Sequence, residues 1–125
     1  MATVLVIEDE EPLRANLVRI LSAEGFRVVT AADGDEGLAR AREAHPDLVI
    51  CDILMPRMDG FSVLAALRSR PETAAIPFLF LTASADKEDL ARGLKSGANE
   101  YVTKPFRIAD LLAAVRRLLP PEEKK

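Results

Sequence analysis

Residues 46–52 read Pro-Asp-Leu-Val-Ile-Cys-Asp, a short apolar run that ends in the carboxylate of Asp52. A continuous apolar run of this length is typical of a strand in a parallel sheet that helices cover on both faces. Further runs rich in apolar or β-branched residues predict strands at 3–7, 26–31, 78–82 and 101–103. Segments with helical spacing separate these runs, and the alternation predicts an α/β protein.

The segments between the runs carry the start and stop signals of helices. Pro12 fits the first turn of a helix that Gly25 ends. Asp86 is the expected cap of a helix that runs through Lys95 to a stop at Gly97. The other helices are predicted over residues 36–44, 61–68 and 111–119, with a turn at 33–34 before the first of these.

Right-handed crossovers between parallel strands leave few topologies for five such units. We predict a flavodoxin-like (βα)5 fold, a five-stranded parallel sheet in the order 2-1-3-4-5 with helices on both faces. The domain is expected to span residues 3–119, and residues 120–125 are expected to be a C-terminal tail or the start of a linker. In this order the topology reverses between strands one and three, which is where such sheets bind ligands.

The composition argues against several classes of function. The 125 residues fit one domain, and 17 basic against 20 acidic residues give a net charge of −3, which disfavours nucleic-acid binding. No apolar stretch approaches the roughly 20 residues that a membrane-spanning helix needs, and no basic leader is visible. With one cysteine and one histidine, neither an internal disulfide nor a Cys/His zinc site is expected. We therefore expect a cytoplasmic protein that contacts neither DNA nor membrane.

Polar side chains recur where the predicted strands end, and they comprise Glu8, Asp9, Asp52, Thr82 and Lys104. Because the carboxyl ends of parallel strands lie along one edge, we expect these side chains to share a pocket. Clustered carboxylates repel each other until a cation neutralises them, and a lysine attracts an anion. The set therefore predicts a site for a divalent cation and a phosphoryl group.

Asp52 is the candidate nucleophile, because a carboxylate is already ionised at neutral pH and needs no general base. A bound Mg²⁺ ion and Lys104 would offset the repulsion between this anion and the phosphoryl oxygens. Glu8 and Asp9 would bind Mg²⁺ directly or through water. Adjacent strand residues point to opposite faces, so we expect one direct ligand and assign that role to Asp9.

Thr82 and Tyr101 are candidate switch residues. The Thr82 hydroxyl is suited to donate to a phosphoryl oxygen that is present only after transfer. If its loop moved toward the phosphate, the amphipathic ring of Tyr101 could fill the space that opens.

The residues quoted above, with several motifs around them, resemble the receiver domain of two-component response regulators, including the chemotaxis regulators. The likeness extends from Thr3 to Leu119 and depends on Glu8-Asp9, Asp52 with Met55-Pro56 and Asp59-Gly60, Leu81-Thr82-Ala83, and Lys104-Pro105-Phe106. The resemblance implies that Asp52 is the phosphoacceptor and that the Leu54 carbonyl is a metal ligand. It also implies that the Ala83 N–H donates to phosphate and that the Lys104–Pro105 peptide is cis. Leu54 and Ser84 match the family's variable positions that tune the lifetime of the phosphorylated state.

The resemblance also implies partners. The family receives its phosphoryl group from a histidine kinase or a phosphotransfer protein, catalyses the transfer itself, and loses the group by hydrolysis. Its output passes to a downstream protein or an appended output domain through the fourth helix, fifth strand and fifth helix. The winged-helix branch dimerises there through two arginines, whereas this chain has Leu90 and Ala114. We therefore expect a monomer when the protein is unphosphorylated.

Other functions remain open at this point. A hydrolase of the haloacid-dehalogenase type usually has a second aspartate two residues after the nucleophile, where this chain has Leu54. A flavodoxin-like cofactor carrier would need a phosphate loop after the first strand, where this chain is acidic. A degenerate receiver that binds partners without phosphorylation would not be expected to have the complete acidic set.

Overall fold

The computed structural model describes residues 1–83 and 86–119, in which five strands alternate with five helices. The strands are β1 (Thr3–Ile7), β2 (Arg27–Ala31), β3 (Leu48–Cys51), β4 (Phe78–Thr82) and β5 (Glu100–Thr103). The helices are α1 (Glu11–Ala23), α2 (Gly34–Ala44), α3 (Gly60–Arg68), α4 (Lys87–Lys95) and α5 (Ile108–Leu118). The predicted tail at 120–125 and the predicted lifetime position Ser84 lie outside the described residues.

All four pairings in the sheet are parallel, and the strand order is β2-β1-β3-β4-β5. The predicted fold class and strand order are therefore confirmed. β1 and β3 are neighbours in the register Val4 to Leu48 and Ile7 to Cys51, so both strands end at the same level. The sheet thus delivers the residues that follow β1 and β3 to one place.

The core consists of two apolar clusters, one on each face of the sheet. Successive strand residues point to opposite faces, so β1 contributes Leu5 and Ile7 to one cluster and Val4 and Val6 to the other. The first cluster packs against α2 and α3, and the second against α1 and α5. Every residue of β3 and β4 is buried, which explains why these strands have no polar alternation.

The second helix begins earlier than predicted, at Gly34. The Asp33 side chain accepts a hydrogen bond from the Glu36 N–H at 2.8 Å, and the Glu36 side chain accepts one from the Ala32 N–H at 2.7 Å. This reciprocal capping starts the helix at the residue pair that we predicted to be a turn. The predicted helix start at Glu36 is therefore wrong by two residues, whereas Asp33 lies outside the helix, where the chain bends. The ends of β2, β3 and β5 also differ from the predicted ends by one or two residues.

Arg68, at the end of α3, ties three segments together at the edge of the sheet opposite the predicted site. Its guanidinium donates to the carbonyl oxygens of Ile76 at 2.7 Å and Gly97 at 2.9 Å. It also donates to the side-chain oxygen of Asn99, which accepts from the Phe78 N–H. Burial lowers the pKa of Arg68, and these acceptors replace the water that it loses.

Among the described residues, no helix combines the length and the apolar character that crossing a bilayer would require.

Candidate functional site

The predicted site residues lie along the carboxyl edge of the sheet, held there by backbone hydrogen bonds. The Asp52 N–H donates to the Ile7 carbonyl at 3.2 Å, and the Lys104 N–H donates to the Thr82 carbonyl at 2.8 Å. The Glu8 N–H donates to a carbonyl oxygen of β2 at 3.0 Å. Each bond extends the parallel ladder one residue beyond a strand, so the side chains that follow leave the sheet at one level.

Lys104 joins the acidic residues that follow β1 and β3. Its Nζ atom lies 2.9 Å from Asp52 Oδ2 and 3.3 Å from Glu8 Oε1, although these residues are 52 and 96 positions away in sequence. The Glu8 and Asp52 side chains are only 2% and 7% exposed, and that of Lys104 is 17% exposed. The two carboxylates are therefore held in a pocket from which most water is excluded.

Asp9 completes an acidic cluster with these two carboxylates. Carboxylate oxygens of Glu8, Asp9 and Asp52 all lie within 4.8 Å of one another, and Asp9 is the most exposed of the three. Backbone N–H groups orient the two buried members, since Glu8 Oε2 accepts from Glu10 at 3.2 Å and Asp52 Oδ1 accepts from Leu54 at 3.1 Å. Three anions therefore face one small space.

The electrostatics of the pocket follow from burial and from these pairings. Burial raises the pKa of Glu8 and the nearby Asp52 charge adds to the rise, although the Glu10 N–H and Lys104 oppose it. For Lys104, burial by itself lowers the pKa, but the hydrogen bond to Asp52 and the charges of Asp52 and Glu8 outweigh burial, so the pKa is raised. Lys104 is thus held as a cation, and burial disfavours the charged form of Glu8.

The cluster has the donor chemistry of a magnesium site. Mg²⁺ prefers oxygen ligands and is usually bound by one or two carboxylates while it keeps several waters. Glu8 is paired with Lys104, whereas Asp9 is nearer to solvent. The Leu54 backbone N–H donates to Asp52, and Leu54 is 58% exposed.

The ends of β4 and β5 border the same pocket. Thr82 is fully buried as the last residue of β4 and pairs in register with Thr103, and Ala83 follows it at the surface. Tyr101 pairs in register with Phe80 and is 36% exposed. The peptide bond between Lys104 and the next residue, Pro105, is cis.

One contact at the site was not predicted from the sequence. Arg14, in the first turns of α1, donates from Nη1 to the carbonyl oxygen of Glu8 at 2.7 Å. The only signal for it in the sequence is a basic residue shortly after the acidic pair, which is also common on the exposed face of a helix.

Comparison with known proteins agrees with this geometry. The profile of the family described as response regulator receiver domain matches residues 4–116. This chain belongs to the response regulator receiver domain family. Receiver domains are signalling domains, so membership separates the chain from hydrolases that act on outside substrates.

Several curated relatives of this receiver domain are transcriptional regulators. The phosphate regulon transcriptional regulatory protein PhoB of Rhizobium meliloti (strain 1021) is 43% identical over 116 residues, which cover 93% of this chain and 51% of that protein. The DNA-binding dual master transcriptional regulator RpaA of Synechocystis is 43% identical over 120 residues, which cover 95% of this chain and 49% of that protein. The chain therefore spans about half the length of the curated relatives that it matches.

Solved structures of receiver domains have the same fold. The chemotaxis protein CheY4 of Vibrio cholerae has a TM-score of 0.91 and 37% identity, and the match covers 95% of this chain and 99% of that one. A putative response regulator from Chloroflexus aurantiacus has a TM-score of 0.89 and 34% identity, with coverage of 94% and 96%. The predicted resemblance to response regulators is confirmed, and the similarity extends over nearly the whole domain.

Proposed function

We propose that this receiver domain is a phosphoacceptor switch in which Asp52 accepts a phosphoryl group in the presence of Mg²⁺. The observation that carries the proposal is the pairing of one cation with two buried carboxylates, Lys104 with Asp52 and Glu8, beside the more exposed Asp9. Such a site can hold both the charges of an incoming phosphoryl group and an anionic nucleophile. Family membership supports the same role.

The proposed transfer is a direct displacement at phosphorus. A carboxylate oxygen of Asp52 forms a bond to phosphorus while the bond from phosphorus to the donor breaks, and the electron pair stays with the donor. From a phosphohistidine the donor atom is an imidazole nitrogen, and from acetyl phosphate it is an acetate oxygen. Lys104 stabilises the negative charge on the phosphoryl oxygens, because its ammonium already lies 2.9 Å from Asp52 Oδ2.

Glu8, Asp9 and Asp52, with the carbonyl oxygen of Leu54, would hold Mg²⁺ in this proposal, and Asp9 is the direct ligand from the acidic pair. When bound, Mg²⁺ supplies positive charge to the phosphoryl oxygens and lowers the repulsion within the acidic cluster. The domain loses the phosphoryl group when water attacks the acyl phosphate. In this proposal the apolar, exposed side chain of Leu54, two residues after Asp52, would limit the access of that water.

The phosphorylated state is proposed to be recognised by the end of β4. The Thr82 hydroxyl, the Ala83 N–H and the Lys104 ammonium would each donate to a phosphoryl oxygen. Movement of Thr82 toward the phosphate would let the Tyr101 ring turn inward from its partly exposed position on β5. This change alters the surface formed by α4, β5 and α5, which is the proposed partner surface.

The partners are proposed to be a histidine kinase or a phosphotransfer protein upstream, and a downstream protein or an output domain that follows this domain. The chain matches about half the length of two transcriptional regulators, which supports an output domain that follows this domain. We expect the domain to be monomeric without phosphate. Light scattering before and after addition of beryllofluoride measures the oligomeric state. Marked dimerisation upon addition would contradict the proposal that the surface formed by α4, β5 and α5 binds a different partner.

The test of the proposed function is incubation with Mg²⁺ and acetyl phosphate, followed by intact mass measurement. The wild type should gain one phosphoryl group, and Asp52→Asn should gain none. Asp35→Asn, which removes an exposed carboxylate from α2, should behave like the wild type. The proposal fails if the wild type stays unmodified or if Asp52→Asn is modified equally. Sustained release of phosphate from p-nitrophenyl phosphate would favour a hydrolase instead.

A further inference from the structure

The contact between Arg14 and the backbone carbonyl of Glu8 joins α1 to the acidic cluster. Arg14 Nη1 lies 2.7 Å from the Glu8 carbonyl oxygen, a short distance that is typical of a charge-assisted hydrogen bond. The Arg14 backbone N–H donates to the carbonyl oxygen of Glu10, the N-cap residue of α1, at 2.9 Å. The side chain is therefore anchored on a regular helix and reaches back to the end of β1.

That carbonyl belongs to the peptide unit between Glu8 and Asp9. Because the unit is planar, its orientation fixes the backbone dihedral angles on either side, ψ of Glu8 and φ of Asp9. Those angles set the direction in which the Asp9 side chain leaves the chain. On the other side of the same unit, the Glu8 carboxylate is already held by Lys104 and by the Glu10 N–H. Asp9 is the member of the cluster whose direction depends most on this peptide.

We propose that Arg14 is a positioning residue for the cation site, which aims the Asp9 carboxylate at the space shared with Glu8 and Asp52 by holding the Glu8–Asp9 peptide plane. The inference deepens the proposed function, because it assigns a role in cation binding to a residue that touches neither cation nor phosphate. Groups that orient metal ligands through hydrogen bonds typically change metal affinity by about 10–100-fold when they are removed.

The direction of the change in Mg²⁺ affinity distinguishes a positioning role of Arg14 from an effect of its charge. Arg14 is a cation near the cluster, so removal of its charge alone would strengthen Mg²⁺ binding by simple electrostatics. Loss of the peptide anchor would weaken Mg²⁺ binding. A weaker affinity after neutralisation of Arg14 therefore identifies the hydrogen bond, and not the charge, as the source of the effect.

The experiment measures Mg²⁺ affinity by titration of the amide NMR spectrum of the whole domain with MgCl₂ alone. Arg14→Met keeps most of the apolar stem and removes the donor, and we expect the Mg²⁺ Kd to rise about tenfold. Arg19→Met is the matched control, since Arg19 is exposed on the same helix and donates to Asn16 at 2.7 Å. Its Kd should stay within about twofold of the wild type, because surface charges contribute little. The spectra also report whether each variant is folded.

A second measurement distinguishes a positioning role of Arg14 from general damage to the site. With acetyl phosphate, Arg14→Met should need about tenfold more Mg²⁺ for half-maximal phosphorylation but reach a similar rate at saturation. The inference is overturned if Arg14→Met binds Mg²⁺ as tightly as the wild type or more tightly. A wild type that binds Mg²⁺ but takes no phosphoryl group would instead refute the proposed function and leave the role of Arg14 standing.

Discussion

Replacement of Asp9 by asparagine should make the metal-free protein more stable. The side chain keeps its size but loses the charge that faces Glu8 and Asp52, whose oxygens lie within 4.8 Å. At that separation two charges repel by about 0.9 kcal/mol even at the dielectric constant of water. The attraction of Asp9 to Lys104 cancels part of the two repulsions. We therefore expect the free energy of unfolding to rise by about 1 kcal/mol in EDTA.

The same replacement should remove the stabilisation that Mg²⁺ provides. A ligand at 100 times its Kd stabilises the state that binds it by about 2.7 kcal/mol. The wild type should gain about this amount at such a Mg²⁺ concentration, and Asp9→Asn should gain almost none. The order of stability of the two proteins should thus reverse between EDTA and Mg²⁺.

Urea unfolding followed by circular dichroism measures both effects. Asp35→Asn is the matched control, because it removes a carboxylate from the exposed first turn of α2. Asp35 interacts favourably with the helix dipole, so this variant should lose a few tenths of a kcal/mol, roughly, and keep the full Mg²⁺ gain. The reasoning is refuted if Asp9→Asn is less stable than the wild type in EDTA, or if Mg²⁺ stabilises both proteins equally.

Three further outcomes follow from the structure and can be checked by the same unfolding measurements. Arg68→Met leaves two carbonyl oxygens without their donor and should lower the free energy of unfolding by about 2–3 kcal/mol. The control Arg70→Met removes an exposed ion pair and should lower it by less than about 0.5 kcal/mol. Equal losses of stability in the two variants would contradict the role of Arg68. Burial raises the pKa of Glu8 above 4.5, so its ionisation disfavours the folded state. In EDTA, the contribution of Glu8 to the free energy of unfolding should therefore fall as the pH rises from 4.5 through the raised pKa of Glu8. Glu8→Gln should flatten the plot of unfolding free energy against pH in that range. Gly60→Ala places a Cβ against the backbone of the proposed phosphoacceptor and should cost about 1–3 kcal/mol, whereas Ser62→Ala on the exposed face of the same helix should stay near the wild type.

The strands and their order were predictable because the sequence repeats one physical pattern. The residues of β3, and those of β4 before Thr82, are apolar on both faces, which is typical of a parallel sheet that helices cover on both sides. Once the sheet is parallel, the polar residues that follow its strands must share one edge. Asp52 and Lys104 therefore meet at 2.9 Å although 52 positions separate them.

The details that escaped prediction depend on choices that local sequence leaves open. Asp33 and Gly34 are typical of a turn, but Asp33 is also a helix cap with a partner at Glu36, and the capping interaction prevails. Arg14 could face solvent or the sheet, since its long side chain reaches several places from one helical position. The direction of its guanidinium depends on the packing of α1, which no local pattern encodes.

The site of phosphorylation tests the central claim most directly. After incubation with Mg²⁺ and acetyl phosphate, borohydride reduces an acyl phosphate to an alcohol and so converts a phosphorylated aspartate to homoserine. Peptide mapping by mass spectrometry then locates the altered residue. For the wild-type protein, which retains Lys104, we predict homoserine at position 52 alone. Reduction at Glu8 or Asp9, or at no residue, would contradict the claim that the nucleophile is Asp52, whose Oδ2 atom lies 2.9 Å from Lys104 Nζ.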